Sequence, residues 1–360
     1  MRNLALGVAA AALLAGAASA AEPVLVLSRT VQGPVEGRLV RAGDGLALLT
    51  DKTLVRLDGA TGAGGWAPQG WVTPTPPGRR WVLAVEKPST GGFMEPQMRG
   101  KMVVGDLTAA QPFSDQSQVV HNAAWPVAAV ENPDGSLTML VWAKAAPFVT
   151  EPGYRLVRWT PGTSTRDAVL ADWPGGGAEL GPSRMMSDGA GGFSLLSRLG
   201  EESECGRKAG FTLTTITPEL KVERGASVCL GEAFTPFTTE ILASAQSARG
   251  PVWFVSGKQA GAHRLGRISA VGGVLKAKTL GELPAGEITS LASDGTELML
   301  VQNGKVSRIG ADGQPEKVEV AAPTCDGRKA GGKRTVSVTA IDGRLHLLAA
   351  ADGCVNVWRY

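Results

Sequence analysis

Four cysteines are the residues of this sequence with the clearest chemistry. They are Cys205, Cys229, Cys325 and Cys354. They are far apart, and no two of them form the C-x-x-C pair that is typical of zinc sites and redox motifs. In an oxidising compartment such cysteines form disulfides, and four cysteines allow three pairings. Taken alone, the cysteines predict two disulfides and no metal site, with the pairing still open.

Two of the cysteines begin loops that resemble each other and are rich in basic residues. The segment CGRKAG at 205–210 matches CDGRKAG at 325–331 apart from one inserted aspartate, Asp326. The basic residues of the two loops and their extension are Arg207, Lys208, Arg328, Lys329, Lys333 and Arg334. Such a patch suits an anionic partner. The alternative is that these side chains only solvate glycine-rich loops, since exposed charges are individually weak and three glutamates lie beside the first loop.

Catalytic and cofactor motifs are missing from the sequence. His121, His263 and His346 are far apart, without metal-ligand spacing and without an adjacent nucleophile. There is no G-x-S-x-G, no H-E-x-x-H, no phosphate loop and no calcium loop. We therefore assign no catalytic, cofactor-binding or metal-binding residue from the sequence.

The elements that must position these loops are a repeated strand and turn. Residues 53–66 read TLVRLDGATGAGGW, in which alternating side chains precede an Asp-Gly turn. Copies of this strand recur at 101–109, 154–162, 211–220, 263–272, 305–313 and 354–360. Each copy follows an apolar strand, a Gly turn and a second apolar strand. Four strands in roughly 40 to 50 residues is the repeat of a propeller blade. The sequence therefore predicts an all-β chain with one β-propeller of about seven four-stranded blades.

The first copy allows a family resemblance to be named. Residues 54–66 resemble the repeat of quinoprotein-type β-propellers, in which L-x-x-L-D-x-x-T-G precedes a tryptophan. The other copies share the pattern but lack Thr-Gly and Trp at those offsets. The resemblance implies a propeller fold. Quinone-cofactor dehydrogenases of that group are much longer and carry an adjacent Cys-Cys pair that this sequence lacks, so we predict no cofactor.

Residues 1–20 have the pattern of a signal peptide. Arg2 precedes an apolar run at 4–15, and the segment ASA at 18–20 is a small-residue cleavage site. The apolar run is too short to span a bilayer, and no cysteine follows it as a lipoprotein signal would require. We expect a periplasmic or secreted protein without a transmembrane segment, in which residues 21–360 form the propeller domain.

The two ends of the chain complement each other in the repeat pattern. Val24–Thr30 is a strand without a blade of its own, and the last repeat ends after three strands. The simplest closure makes this strand the fourth of the last blade, which removes two sheet edges. In this arrangement each blade that carries cysteines has both of them at one rim. The blade pattern therefore favours the pairs Cys205–Cys229 and Cys325–Cys354.

Four third strands carry an arginine at the same position: Arg56, Arg158, Arg267 and Arg308. A ring of these residues around the channel could bind an anion. The third strand is not the innermost strand of a blade, however. We therefore expect their stems to pack between blades and their guanidinium groups to pair with carboxylates or water.

The long loops of the predicted propeller fall on one face. That face carries the loops between second and third strands and the crossings between blades. The long segments there are 87–100, 144–153, 200–210, 257–262 and 321–333. Binding residues concentrate on loops that a rigid scaffold positions. We expect the six basic residues to supply charge on this face, and Phe93, Met94 and Phe148 to supply apolar contact.

These observations predict an exported, non-enzymatic binding or scaffold module that acts through the long-loop face. The expected partner is an unknown protein or an anionic envelope component. The formal charge of +3 is too small to indicate nucleic acid, and we expect a monomer. The alternative is a propeller-type hydrolase or lactonase with its site at the central channel, because a fold does not determine a function and propeller enzymes assemble sites from scattered inner-strand residues.

Overall fold

The computed structural model describes residues 22–31, 35, 37–42, 45–49, 54–57, 63–64, 70–74, 81–86, 101–106, 118–121, 124–143, 153–163, 169–172, 179–187, 193–199, 204–206, 208–230, 240–245, 251–257, 261–271, 274–310 and 313–360. Every regular element within these ranges is a β-strand. The same residues include no helix that is long and apolar enough to cross a membrane.

The strands form seven four-stranded antiparallel sheets and one two-stranded hairpin. Strand β1 (Val24–Thr30) comes first in the chain. Sheet I contains β2 (Arg38–Ala42), β3 (Gly45–Leu49), β4 (Leu54–Arg56) and β5 (Ala63–Gly64). Sheet II contains β6 (Gly70–Pro74), β7 (Trp81–Glu86), β8 (Lys101–Asp106) and β9 (Gln118–His121). Sheet III contains β10 (Ala124–Glu131), β11 (Leu137–Ala143), β12 (Gly153–Trp159) and β13 (Val169–Asp172).

The C-terminal half continues the same pattern. Sheet IV contains β14 (Glu179–Ser187), β15 (Phe193–Leu199), β16 (Gly210–Ile216) and β17 (Val222–Cys229). Sheet V contains β18 (Glu240–Ala245), β19 (Val252–Gly257), β20 (His263–Val271) and β21 (Val274–Leu283). Sheet VI contains β22 (Ile288–Ser293), β23 (Leu298–Gln302), β24 (Lys305–Ile309) and β25 (Pro315–Val318). The hairpin is β26 (Thr324–Cys325) with β27 (Arg328–Lys329), and sheet VII combines β28 (Thr335–Ile341), β29 (Arg344–Ala351) and β30 (Cys354–Arg359) with β1.

Sheets II to VII contact each other in sequence through their first strands, and sheet VII contacts sheet I in the same way, which is the arrangement of a β-propeller. The contacts run from β6 to β10, β14, β18, β22 and β28, and from β28 to β2. Between β22 and β28 the Ser290 hydroxyl accepts a hydrogen bond from the Val338 amide at 3.0 Å. The expected all-β propeller fold is therefore confirmed. The repeated third strand is confirmed in all seven sheets, since β4, β8, β12, β16, β20, β24 and β30 begin within one residue of the predicted positions.

The hydrophobic core is divided into clusters that lie between neighbouring sheets. One cluster joins Leu156 of sheet III to Phe193 of sheet IV, and another joins Phe211 of sheet IV to Phe254 of sheet V. Further clusters lie between sheets V and VI, VI and VII, and VII and I. Both faces of a strand are consequently covered, which explains the nearly continuous apolar runs of the second strands.

Strand β1 lies beside β30 in sheet VII, in antiparallel register from Val24 opposite Arg359 to Thr30 opposite Cys354. The Val31 amide donates to the Gly353 carbonyl at 2.7 Å, which extends the pairing beyond the strand. The Arg29 guanidinium donates to the Leu57 carbonyl at 3.2 Å and so links sheet VII to sheet I. The two ends of the chain thus share one sheet.

A glycine makes room for the aromatic contact between sheets IV and V. Gly266 lies directly opposite Phe254, and a Cβ atom added to it would be 2.2 Å from the Phe254 Cζ atom. The Phe254 ring packs at a tilt against Phe211, with 6.0 Å between the ring centroids. Any side chain at position 266 would push Phe254 out of this contact.

We predict that Gly266→Ala lowers the free energy of unfolding by about 1 to 3 kcal/mol, the usual cost of an overpacked core. The matched control is Gly281→Ala on β21, where nothing lies within 4 Å of an added Cβ. Urea denaturation with tryptophan fluorescence measures both variants. Equal stability of the two variants would show that the Phe254 ring moves without cost.

Candidate binding surface

The crossing from sheet VI to sheet VII contains a short hairpin that the repeat pattern did not predict. We call residues 324–329 the crossing hairpin. Its two strands pair Thr324 with Lys329 and Cys325 with Arg328. Asp326 and Gly327 form the turn with φ values of 51° and 72°, the left-handed conformation that a two-residue hairpin turn requires. The aspartate that distinguishes this loop from the loop at 205–210 is therefore a turn residue.

Side chains of sheet VII hold the crossing hairpin in place. The Thr324 amide donates to the Asn356 Oδ1 atom at 2.5 Å, and the Asn356 Nδ2 atom donates to the Thr324 carbonyl at 3.3 Å. The Ser28 hydroxyl donates to the same carbonyl at 2.7 Å. At the turn, the Thr30 hydroxyl donates to Asp326 Oδ2 at 3.2 Å. The hairpin is thus hydrogen-bonded to β1 and to β30.

Two disulfides connect the cysteines in the pairs that the blade pattern favoured. Cys205 is bonded to Cys229 with 5.4 Å between Cα atoms, and Cys325 is bonded to Cys354 with 5.8 Å. Cys229 ends the fourth strand of sheet IV, and Cys354 begins the third strand of sheet VII. Because successive strands alternate in direction, both bonds lie at the end of the strands where the crossings run. The second bond ties the crossing hairpin covalently to sheet VII.

The crossing carries an excess of positive charge. Residues 321–334 contain four basic residues and one acidic residue, Asp326. The four basic side chains, Arg328, Lys329, Lys333 and Arg334, are exposed, and none of them forms an ion pair with a residue that the structure describes. The Arg334 guanidinium donates to the Val320 carbonyl, which fixes its direction. The crossing therefore carries a net positive charge, although the Asp352 carboxylate lies against Gly331 and Gly332.

The neighbouring carboxylate of Glu319 is already engaged. It forms an ion pair with Lys317. The Lys317 ammonium holds the pKa of the Glu319 carboxyl below its usual range, and Arg334 adds a smaller attraction. Glu319 is fully exposed, so this pairing is an electrostatic feature of the surface and not a contribution to stability.

The loop at 205–210 has a different local structure from its sequence relative. The Lys208 amide donates to the Cys205 carbonyl at 3.1 Å, which closes a turn, and the Lys208 side chain is exposed. Gly210 leaves room for the disulfide, because an added Cβ would be 2.4 Å from the Cys205 Sγ atom. This loop lies on the same face as the crossing hairpin, but sheets V and VI separate sheet IV from sheet VII. The structure thus groups four of the predicted cations and places Lys208 apart from them.

Four of the residues predicted for the binding face lie outside the described part of the chain. They are Phe93, Met94, Phe148 and Arg207. The predicted apolar contribution of this face remains a prediction.

The repeated arginines have the structural role that the sequence favoured. Arg308 forms a two-pronged ion pair with Glu297, in which Nε donates to Oε2 at 2.8 Å. Arg158 donates to Asp134 at 3.0 Å. Arg267 lies over the ring of Trp253, with 5.4 Å from the guanidinium carbon to the ring centroid. Arg158 also donates to the Pro218 carbonyl of sheet IV, which agrees with the expected packing between blades. Arg158, Arg267 and Arg308 are therefore engaged by neighbouring groups.

The Asp134 carboxylate organises the turn between β10 and β11. Its Oδ1 atom accepts hydrogen bonds from the Ser136 hydroxyl at 2.6 Å and the Ser136 amide at 2.9 Å. The bonds from Ser136, followed by the charge of Arg158, hold the pKa of Asp134 below its usual range. The network orders the turn between β10 and β11, on the face opposite the crossing hairpin.

The two histidines whose side chains the structure describes are buried in separate sheets. The Nε2 atom of His263 is 2.8 Å from the Gly286 carbonyl, at the crossing from sheet V to sheet VI. His346 lies in β29, with Nδ1 3.1 Å from the Arg344 carbonyl. Among the described residues, no group of three or more His, Cys, Asp or Glu side chains could hold a metal ion.

Comparison with known proteins identifies a fold and no family. No protein-family model matches the chain, and no curated protein matches it in sequence. A solved prolyl endopeptidase matches with a TM-score of 0.50 at 13% identity, over 91% of this chain and 46% of that chain. The extracellular domain of the putative hybrid two component system BT4673 from B. thetaiotaomicron matches with a TM-score of 0.50 at 10% identity, over 93% of this chain and 40% of that chain. This chain spans less than half of either structure, and the likeness supports the β-propeller fold alone.

We predict that replacing Cys325 and Cys354 by serine lowers the free energy of unfolding by about 3 to 4 kcal/mol, because the bond closes a long loop of the unfolded chain. Amide hydrogen exchange should also accelerate at Thr324 and at Ala330, whose amide donates to the Pro323 carbonyl at 2.8 Å. The matched control replaces Cys205 and Cys229, which should cost a similar free energy without changing exchange in the crossing hairpin. Unchanged exchange in the first variant would mean that the hydrogen bonds of Asn356 and Ser28 hold the hairpin without the disulfide.

Burial lowers the pKa of His346 below its ordinary value of 6.5, and the charges of Arg359 and Arg344 lower it further. The unfolded chain therefore binds a proton at this site more readily than the folded chain. Stability from this group is present above about pH 6.5 and is lost as the pH falls below that value. We predict that His346→Gln reduces the loss of stability between about pH 7.5 and about pH 5 in urea denaturation. An identical pH dependence in both proteins would assign the acid sensitivity to other groups.

Proposed function

We propose that the chain is an exported binding or scaffold module whose seven sheets are the blades of one propeller, closed into a ring by β1. The membership of β1 in sheet VII and the contacts of β28 with both β2 and β22 support this closure. The two disulfides suit an oxidising compartment, in agreement with the signal-like residues 1–20. The quinoprotein-like repeat at 54–66 then serves the fold and no cofactor.

The observation that carries the proposal is the set of exposed cations on an anchored crossing. Arg328 and Lys329 lie on a hairpin that one disulfide and the bonds from Asn356, Ser28 and Thr30 attach to sheet VII. A loop fixed in this way loses little conformational entropy when it binds. The scaffold orders the hairpin before a partner binds. Association therefore avoids the loss of conformational entropy that ordering a mobile basic loop would require.

The chemistry of these side chains defines the class of partner. A guanidinium group binds a carboxylate or a phosphate with two parallel hydrogen bonds, and an ammonium group adds a compact charge. Four cations within residues 328–334 suit a partner with several anionic groups close together. We propose an acidic protein segment or an anionic polymer of the cell envelope, bound at the long-loop face.

The test uses heparin as a defined polyanion and an envelope extract as the source of partners. We predict that the triple variant Arg328→Ala, Lys329→Ala, Lys333→Ala weakens heparin binding by about tenfold, on the basis of roughly 0.5 kcal/mol for each exposed charge. Binding of the unaltered protein should also weaken between about 50 mM and about 500 mM salt, because screening shortens the reach of exposed charges. The melting temperature should not change, since these three side chains form no ion pair with a described residue.

The matched control removes exposed cations far from the crossing, with the changes Lys276→Ala, Lys278→Ala and Arg344→Ala. It has the same net charge as the triple variant. Equal loss of binding in both variants would indicate a non-specific charge effect and would contradict the proposed surface. The triple variant could still capture a partner from the extract, and a Lys208 variant could fail to do so. That result would place the binding site at sheet IV.

A further inference from the structure

The outer strand of sheet VII exposes apolar side chains. β1 pairs with β30 on one side, and its other side has no strand partner among the described residues. Val24, Leu25 and Val26 are 54%, 51% and 39% exposed, and they are the large hydrophobic side chains with the greatest exposure in the described part of the chain. Val24 and Leu25 point to opposite faces of the sheet, so apolar side chains are exposed on both faces at this edge.

The outer strands of other sheets protect their edges differently. The exposed positions of β21 include Lys276, Lys278 and Glu282. Those of β25 are Pro315, Glu316 and Lys317, and β17 exposes Glu223. Charged residues and proline on an outer strand prevent pairing with another chain. At its exposed positions β1 carries three apolar residues, a serine and a threonine, and its one charged residue, Arg29, is half-buried. Its edge therefore lacks the charges that block pairing.

The sequence of β1 is complementary to itself in antiparallel register. Placing Glu22 opposite Arg29 of a second copy also places Val24 opposite Leu27 and Leu25 opposite Val26. Pro23 then lies opposite Ser28, and because proline has no amide hydrogen it donates no hydrogen bond to the ladder there. Val24 and Leu27 lie opposite Arg359 and Val357 on β30, which are two residues apart and so share one face of the sheet. Apolar residues would then meet on matching faces, and each end of the paired strands would carry one ion pair. A two-fold axis repeats every contact.

We propose that β1 is the dimer interface, at which the strand pairs with β1 of a second copy of this chain. The two four-stranded sheets become one continuous sheet across the two-fold axis. The contact is small compared with a standard protein interface, so the dimer dissociates at concentrations on the order of micromolar. This inference replaces the expected monomer. It does not rest on the cations of the crossing hairpin, which contacts β1 at Ser28 and Thr30.

Sedimentation velocity of the full chain, with both disulfides formed and its mass verified, tests the proposal from about 1 to about 100 µM protein. The expected result is a concentration-dependent dimer. Leu25→Lys should raise its dissociation constant at least tenfold, because a lysine would be buried against a second strand. The matched control is Thr279→Lys on the exposed outer strand β21, which adds the same charge and should leave the dimer unchanged.

Charge reversal identifies the occupant of the edge. Glu22→Arg alone and Arg29→Glu alone should each weaken the dimer, and the double variant should restore it, since only a second copy carries both changes. Thermal melting checks each fold, because Arg29 also donates to the Leu57 carbonyl. Monomer at every concentration would overturn the proposal and would show that the bulge at Val26 keeps the edge unpaired. A dimer that Leu25→Lys leaves intact, or that the double variant does not restore, would place the interface elsewhere or in another register.

Discussion

Packing between neighbouring sheets is the constraint on which the rest of the structure depends. No sheet can bury its apolar residues alone, because both of its faces are apolar. Strand β19 shows the consequence: Phe254 packs toward sheet IV, whereas Trp253 and Val255 pack toward sheet VI. Sheets IV, V, VI and VII are each packed against two neighbours. The hydrogen bonds of the strands satisfy the backbone, and the side chains determine how the sheets follow one another.

Because the faces of the sheets are packed, polar and charged side chains concentrate at the ends of the strands. The two ends of the sheets differ in the polar groups they carry. At one end, carboxylates such as Asp134 and Glu297 are hydrogen-bonded within their own sheets by Ser136 and Arg308. At the other end, Arg328 and Lys329 of the crossing hairpin are exposed and form no ion pair with a described residue. The described ion pairs of Arg158 and Arg308 therefore lie at the end of the sheets opposite the crossing hairpin.

The fold was largely predictable from the sequence because its signals are local. Alternating side chains followed by a turn predict the third strands, and the pairing of Cys205 with Cys229 follows from strand direction once both residues are assigned to one blade. The crossing hairpin was missed because Asp326 looked like an insertion in a loop, although an Asp-Gly pair between short polar strands is also a hairpin signal. Exposure of Val24 could not be predicted, since the pattern VLVLS is the same for a covered and an uncovered strand. Ion pairs such as Arg308 with Glu297 depend on rotamers that no sequence pattern specifies.

Sheet VII combines two strands, β1 and β30, that are synthesised far apart in time. β1 is synthesised first, yet its partner β30 begins at Cys354, more than three hundred residues later. At typical rates of synthesis this separation lasts on the order of half a minute. During that interval the other sheets can stack while β1 has no strand to pair with. The pairing of β1 with β30 can therefore form only after the chain has been synthesised through residue 359.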